Sequence, residues 1–179
     1  MHIMDILQNS ISADATIISL DIVEDTHRNF LLLEFTDNGK GMSQEMTEQV
    51  TDPFYTTRTT RKVGLGLSLL KQNATRTGGT FNIESTEGKG TRVTATFVLD
   101  HLDRPVMGDI PGGFLLTATS HPAISFFYTH AKDDRKVTFS TVEAKEALGN
   151  IPLNEPAVYQ YLREMIHENL LEIGVTLTS

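Results

Sequence analysis

Four short runs in which apolar residues alternate with polar ones constrain this chain more than anything else in it. Ile18, Leu20 and Ile22 alternate with Ser19 and Asp21, and after a turn at Asp25–Asn29 the residues Leu31, Leu33 and Phe35 alternate again. Phe81, Ile83 and Ser85 repeat the pattern, and Val93, Ala95, Phe97 and Leu99 follow the turn Glu87-Gly88-Lys89-Gly90. A period of two bounded by short turns marks half-buried strands, so the pattern predicts two hairpins. A segment of helical period precedes each of them. Residues 3–13 place Ile3, Ile6, Leu7 and Ile11 on one face, and Leu65 to Thr77 does the same with Leu67, Leu70 and Ala74 before Gly78-Gly79 stops it. Helix, two strands, a connection, helix and two strands fit an α+β two-layer sandwich, a mixed, largely antiparallel sheet with helices on one face.

The connection, residues 38–63, holds glycines, threonines, charges and Pro53, with a short helix near Gln44–Val50. It reads as a loop over a site. Asp100 to Gly113 is rich in Pro, Gly and Asp, so residues 101–113 read as a linker between residues 1–100 and a small α+β extension, 114–179. The extension has apolar runs at Phe114–Thr119, Ile124–His130 and Val137–Ser140. A helix is expected at Val142–Leu148, with Ser140 and Glu143 spaced as a capping box. A last helix starts near Asn154 with Pro156 in its first turn and ends at Gly174. Ile124–Tyr128 is read as core of a subdomain of its own, with a partner-docking strand as the alternative.

Bulk properties exclude several classes. With no cysteine in 179 residues, disulfides, thiol catalysis and cysteine-bound zinc are out. No stretch approaches the roughly 20 apolar residues of a membrane span. Met1 to Ser12 lacks the pattern of a secretion signal, so a cytoplasmic address is the default expectation. The formal charge of −8 disfavours nucleic acid as a partner. Arg58, Arg61 and Lys62 form a basic patch that is small for a duplex and apt for one polyphosphate.

Asp5, Asn9 and Ala13 stand four residues apart on the polar face of the first helix, hence in one row. An amide oxygen at Asn9 suits magnesium, which takes hard oxygen ligands and shares its shell with water and phosphate. Asp5 is placed to accept a proton from a group attacking a terminal phosphate. Asp37-Asn38-Gly39-Lys40-Gly41 puts a carboxylate at a strand end, where it can accept a hydrogen bond from the exocyclic amine of adenine. Gly39 and Gly41 permit close approach there. Gly64-Leu65-Gly66-Leu67-Ser68 opens a helix, and free N–H groups at a helix start bind anions. Asp52-Pro53-Phe54-Tyr55-Thr56-Thr57-Arg58 has the composition of a lid, and Gly88-Lys89-Gly90-Thr91 that of a tight hairpin. Taken singly, each of these also reads as plain structure: a solvated helix face, an Asp-Asn-Gly turn, a loop-to-helix glycine pair, an exposed loop.

Their order over residues 2–99 resembles the ATP-binding domain of the GHKL superfamily, which includes DNA gyrase, heat-shock chaperones, histidine kinases and mismatch-repair ATPases. The histidine-kinase and anti-sigma-factor kinase branch is the most similar. Met4–Ala13 resembles its asparagine box, Asp37–Gly41 its first glycine box, Pro53–Arg58 its phenylalanine box, and Gly64–Ser68 and Gly88–Thr91 its further glycine boxes. The resemblance implies a Bergerat-type fold with ATP and magnesium as cofactors. It implies that Asn9 ligates the metal and Asp37 holds adenine. Ala13, Gly39, Gly41, Met42, Phe54, Thr57, Gly64, Leu65, Gly66, Leu67, Ser68 and Thr91 would complete the nucleotide site, with Asp5 as base and Arg58 as a neutraliser of transition-state charge. Asp5 stands where several relatives carry Glu, one methylene longer.

A histidine kinase carries its phosphoacceptor His on a helical hairpin ahead of the asparagine box, and here the box starts at once. The six histidines lie outside any acceptor context, and His121, His130 and His167 lack ligand-like spacing. Transfer of phosphate in trans to a His or Ser of a partner protein is therefore expected rather than autophosphorylation. A nucleotide-dependent binding switch and a simple ATPase are the alternatives. ATP or ADP and a protein partner are expected, nucleic acid and membrane are not, and the oligomeric state is open.

Overall fold

The structure, a computed structural model, describes residues 2–52 and 65–177. In chain order the elements are α1 (Ile3–Ser12), β1 (Ile17–Asp25), β2 (Phe30–Asp37), α2 (Gln44–Gln49), α3 (Leu65–Arg76), β3 (Phe81–Thr86), β4 (Gly90–Val98), α4 (Ile110–Ser120), β5 (Ser125–Lys132), β6 (Arg135–Ser140), α5 (Thr141–Leu148) and α6 (Pro156–Glu172). The strands form one mixed sheet in the order β3-β4-β2-β1-β5-β6. β1 pairs parallel with β5, and the other neighbours pair antiparallel.

The period-two pattern decides which face is covered. Ile18, Leu20 and Ile22 of β1, Leu31, Leu33 and Phe35 of β2, and Val93, Ala95 and Phe97 of β4 are all buried. Register places Leu20 opposite Phe35 and Leu33 opposite Ala95, so these side chains share one face. The buried stripes of α1 and α3 belong to the same core, with Ile3, Ile6 and Leu7 from one and Leu67, Leu70 and Ala74 from the other. Helices on one face of a mixed sheet are thus the observed α+β architecture. No helix among the described residues is long and apolar enough to cross a membrane.

The C-terminal part differs from expectation in two ways. The span read as a linker contains the start of α4. Asp109 is its N-cap, accepting from the Gly112 N–H at 2.9 Å, and a proline occupies its first positions. Ile124–Tyr128, read as the core of a separate subdomain, runs into β5 and lengthens the common sheet, with Leu20 of β1 opposite Tyr128. The physical reason is the parallel pairing. A parallel neighbour needs a crossover of a dozen or more residues, and α4 supplies it. Phe114 of α4 then packs edge-on against Phe126 at 5.8 Å between ring centroids and lies 5.2 Å from Tyr128. The capped helix at α5 agrees with the capping-box reading, since the Ser140 side chain accepts from the Val142 and Glu143 N–H groups.

β5 also brings a polar chain into the core. His130 is 2% exposed and sits beside Glu24 of β1. A carboxylate only accepts, so His130 Nε2–H donates to Glu24 Oε1, at 2.7 Å. The Tyr128 hydroxyl lies 2.9 Å from His130 Nδ1. Burial acts to raise the Glu24 pKa. The hydrogen bond and charge of His130, with Lys132 and Arg104 beyond, outweigh it and hold the carboxyl below the usual glutamate value.

Candidate functional site

One turn of helix and one strand end build the site. α1 ends at Ser12, and after four intervening residues the chain enters β1 at Ile17. The strand that returns, β2, ends at Asp37 beside the start of β1. The Asn38 carboxamide locks this corner. Its Oδ1 accepts from the Thr16 and Ile17 N–H groups at 2.9 and 2.8 Å, and its Nδ2 donates to the Thr16 hydroxyl. Asp37 is thereby fixed under the C-terminal half of α1. The Ser10 hydroxyl donates to its Oδ2 at 2.6 Å, and the Gly39 N–H donates to its Oδ1 at 2.9 Å.

Gly41 shows why this loop needs glycine. Its φ is +66°, and a Cβ there would stand 2.0 Å from the Thr86 carbonyl oxygen. The loop rests on the β3–β4 turn, joined by Gly88 N–H to Lys40 O at 2.7 Å and by Met42 N–H to the Ser85 hydroxyl at 2.8 Å. Ser85 shares a 2.8 Å hydrogen bond with Thr91, which pairs with Asp37 across the sheet.

A cavity of about 190 Å³ opens between these elements. Ile6, Phe35, Met42, Met46, Val50, Leu67 and Val93 give it apolar walls, and Asn9, Ser10, Ser12, Asp37, Lys40 and Thr91 contribute polar groups. Apolar walls with a few convergent polar groups are the general form of a small-molecule site. A carboxylate at the end of such a slot suits a flat heterocycle that presents an N–H. Asn9 Nδ2 is buried and has no hydrogen-bond partner among the described residues. An orphaned amide facing a cavity marks a place for a ligand atom, and because the two ends of a carboxamide exchange by rotation it offers either a donor or an oxygen.

The expected residues divide into three groups. Asn9, Ala13, Asp37, Gly41, Met42, Leu67 and Thr91 line the cavity together. Asp5, Gly39, Leu65, Gly66 and Ser68 do not line it. Asp5 is exposed and pairs with His2 Nδ1 at 3.3 Å. Gly39 stands behind Asp37. A Cβ on Gly66 would lie 2.9 Å from the Asp5 Cβ, so this glycine lets α3 approach α1. Leu65 is exposed, and Ser68 donates to the Leu65 carbonyl at 3.1 Å. Phe54, Thr57, Arg58 and Gly64 lie outside the described residues. Ile6, Ser10, Ser12, Phe35, Lys40, Met46, Val50 and Val93 line the cavity without being among the expected site residues. The signal for Ser10 was its place at i+7 from Ile3 on the apolar stripe, where a hydroxyl must find a buried acceptor.

The three histidines weighed as a metal set are apart. His130 meets Glu24, His167 meets Asp109 at 3.0 Å, and His121 faces the Thr117 carbonyl at 2.8 Å. Among the described residues no group of three or more His, Cys, Asp or Glu side chains is arranged to hold a metal ion.

The family described as histidine kinase-, DNA gyrase B- and HSP90-like ATPase matches residues 2–101. A Shewanella frigidimarina protein named "Putative sensor protein" is 36% identical over 104 residues, covering 56% of this chain and 16% of that protein. Sporulation kinase D of Bacillus subtilis is 40% identical over 65 residues, covering 36% of this chain and 13% of that protein. The chain thus spans about one sixth or less of the length of these relatives. The ADP-complexed MutL ATPase domain of Aquifex aeolicus covers 92% of this chain and 86% of its own at 14% identity, with a TM-score of 0.46, too loose a likeness to carry weight. The match over more than half of the chain decides the family: this protein belongs to the histidine kinase-, DNA gyrase B- and HSP90-like ATPases, and is an ATP-binding domain of the kind found in histidine kinases.

Proposed function

We propose that this domain binds Mg-ATP with the adenine amine on Asp37 and the phosphates towards Asn9, and that it passes the terminal phosphate in trans to a His or Ser of a partner protein. The observation that carries the reading is the convergence on one apolar cavity of Asp37 and of Asn9, whose Nδ2 has no partner among the described residues. The kinase name of the Bacillus subtilis relative supports a transfer function.

The donor set fits magnesium. A single amide oxygen at Asn9, completed by phosphate oxygens and water, is an ordinary magnesium shell, whereas a cage of carboxylates is not required. Bound there, the ion would neutralise charge on the phosphates. The remaining work falls to the chain. Asp37 orients the purine, the walls exclude water, and Asp5 accepts the proton that the acceptor side chain loses as its new bond to phosphorus forms and the bond to the ADP oxygen breaks. Incubation with γ-labelled ATP and the native partner should label the partner. Asp5→Asn should lower that rate by about 10²–10⁴-fold with ATP affinity unchanged. Full transfer by the variant would remove Asp5 from the chemistry.

A second reading has its own support. Asp5 is exposed, paired with His2 and outside the cavity wall. In that reading the nucleotide acts as a switch for a protein contact with no transfer. A non-hydrolysable ATP analogue should then promote partner binding as well as ATP does. Partner binding with ATP alone would reject the switch.

A further inference from the structure

We infer that Ser10 is the positioning residue that gives this site its grip on the six-amino group of the purine, an inference that rests on the reading of Asp37 as the adenine acceptor. Ser10 lies on α1 directly after Asn9 and is 6% exposed. Its hydroxyl is 2.6 Å from Asp37 Oδ2, the length of a charge-assisted O–H···O⁻ bond. The Gly39 N–H holds the other oxygen at 2.9 Å. Ser10 and Asp37 both line the cavity, so the hydrogen bond lies in its wall.

Two donors, one to each oxygen, do two things to a carboxylate. They stop rotation about the bond to the carboxyl carbon, and they occupy one lone pair on each oxygen. The remaining lone pairs are left aimed, as acceptors only. A purine that offers an N–H at that point is held, and one that lacks it leaves a desolvated carboxylate unsatisfied. Without Ser10, Oδ2 loses its tether. The carboxylate can then turn to satisfy itself elsewhere, and the difference between the two purines shrinks. Placing this hydroxyl on the helix that carries Asn9 also couples the base end of the site to the phosphate end through one rigid element.

The test titrates ATP and purine riboside 5′-triphosphate, which lacks the amino group, into the wild-type domain, Ser10→Ala and Ser10→Thr by calorimetry. Both nucleotides meet the same preparation, so a misfolded fraction leaves the affinity ratio unchanged. The wild-type domain should prefer ATP by roughly tenfold or more, Ser10→Ala by about threefold or less, and Ser10→Thr, which keeps the hydroxyl, should recover the wild-type preference. A residue that only stabilises the helix would lower both affinities together and leave the ratio. An undiminished preference in Ser10→Ala overturns the role of Ser10 while leaving Asp37 in place. Absence of preference in the wild-type domain overturns the reading of Asp37 and this inference with it. If Ser10→Ala binds neither nucleotide, Ser10→Thr decides: wild-type preference supports the role, and its loss contradicts it.

Discussion

Replacing His130 with leucine is expected to destabilise the fold by about 3–5 kcal/mol at neutral pH, the usual cost of removing one partner from a buried ion pair. Glu24 is left in the core with Lys132 3.8 Å from Oε2 and the charge of Arg104 beyond, and the Tyr128 hydroxyl loses its hydrogen-bond partner. The cost depends on pH with a definite sign. The folded-state pKa of Glu24 lies below its usual value, so its contribution is complete above that value and is lost as the pH falls through the folded pKa. The gap between wild type and His130→Leu should therefore be widest near neutrality and close in acid, as Glu24 takes up a proton in both. Adding Glu24→Met and Tyr128→Phe should restore much of the loss, because a wholly apolar replacement leaves no group unpaired. Denaturant unfolding at several pH values measures each of these. A loss under about 1 kcal/mol for the single variant would mean that Glu24 keeps access to water.

Gly41→Ala is expected to damage fold and site together. An alanine at φ +66° costs about 1–2 kcal/mol. Its methyl would also stand 2.0 Å from the Thr86 carbonyl oxygen, a backbone atom that moves only with the β3–β4 turn. Relief of that overlap adds about 1–3 kcal/mol. At about 2–4 °C per kcal/mol for a chain of this size, the melting temperature should fall by on the order of 10 °C. The turn that must shift carries Gly88 and leads into Thr91 of β4, so the hydrogen bond from Gly88 to Lys40 and the wall beside Asp37 are displaced as well. ATP affinity measured on the folded fraction should drop by roughly tenfold or more. A stable variant with wild-type affinity would show that the loop does not rest on the turn as described.

Both hairpins and the helices before them were legible because their stripes are local and periodic. Ile18, Leu20 and Ile22 announce a core face with no knowledge of the partner strand. The same periodicity, pursued further, would have shown two polar residues on that face. Glu24 continues the buried series of β1 and His130 that of β5, and polar groups at such positions must find one another. The parallel pairing of β1 with β5 joins residues more than a hundred apart, and nothing local encodes it. Asp109, Pro111, Gly112 and Gly113 misled for a chemical reason. Asp at an N-cap and Pro in a first turn start helices, and the same residues compose linkers. Asn9, Ala13 and Asp37 line one cavity because the end of α1 and the end of β2 meet there. Ser10 was missed because it stands among apolar neighbours on the buried stripe.

Asp37 is the group proposed to receive the nucleotide base. Titration calorimetry of Mg-ATP into the wild-type domain and into Asp37→Ala tests this most directly. The predicted result is a loss of about 1–3 kcal/mol of binding, roughly 5- to 150-fold in Kd, in a variant that still folds. Equal affinity in the two proteins would put the base elsewhere and contradict the assignment of this cavity.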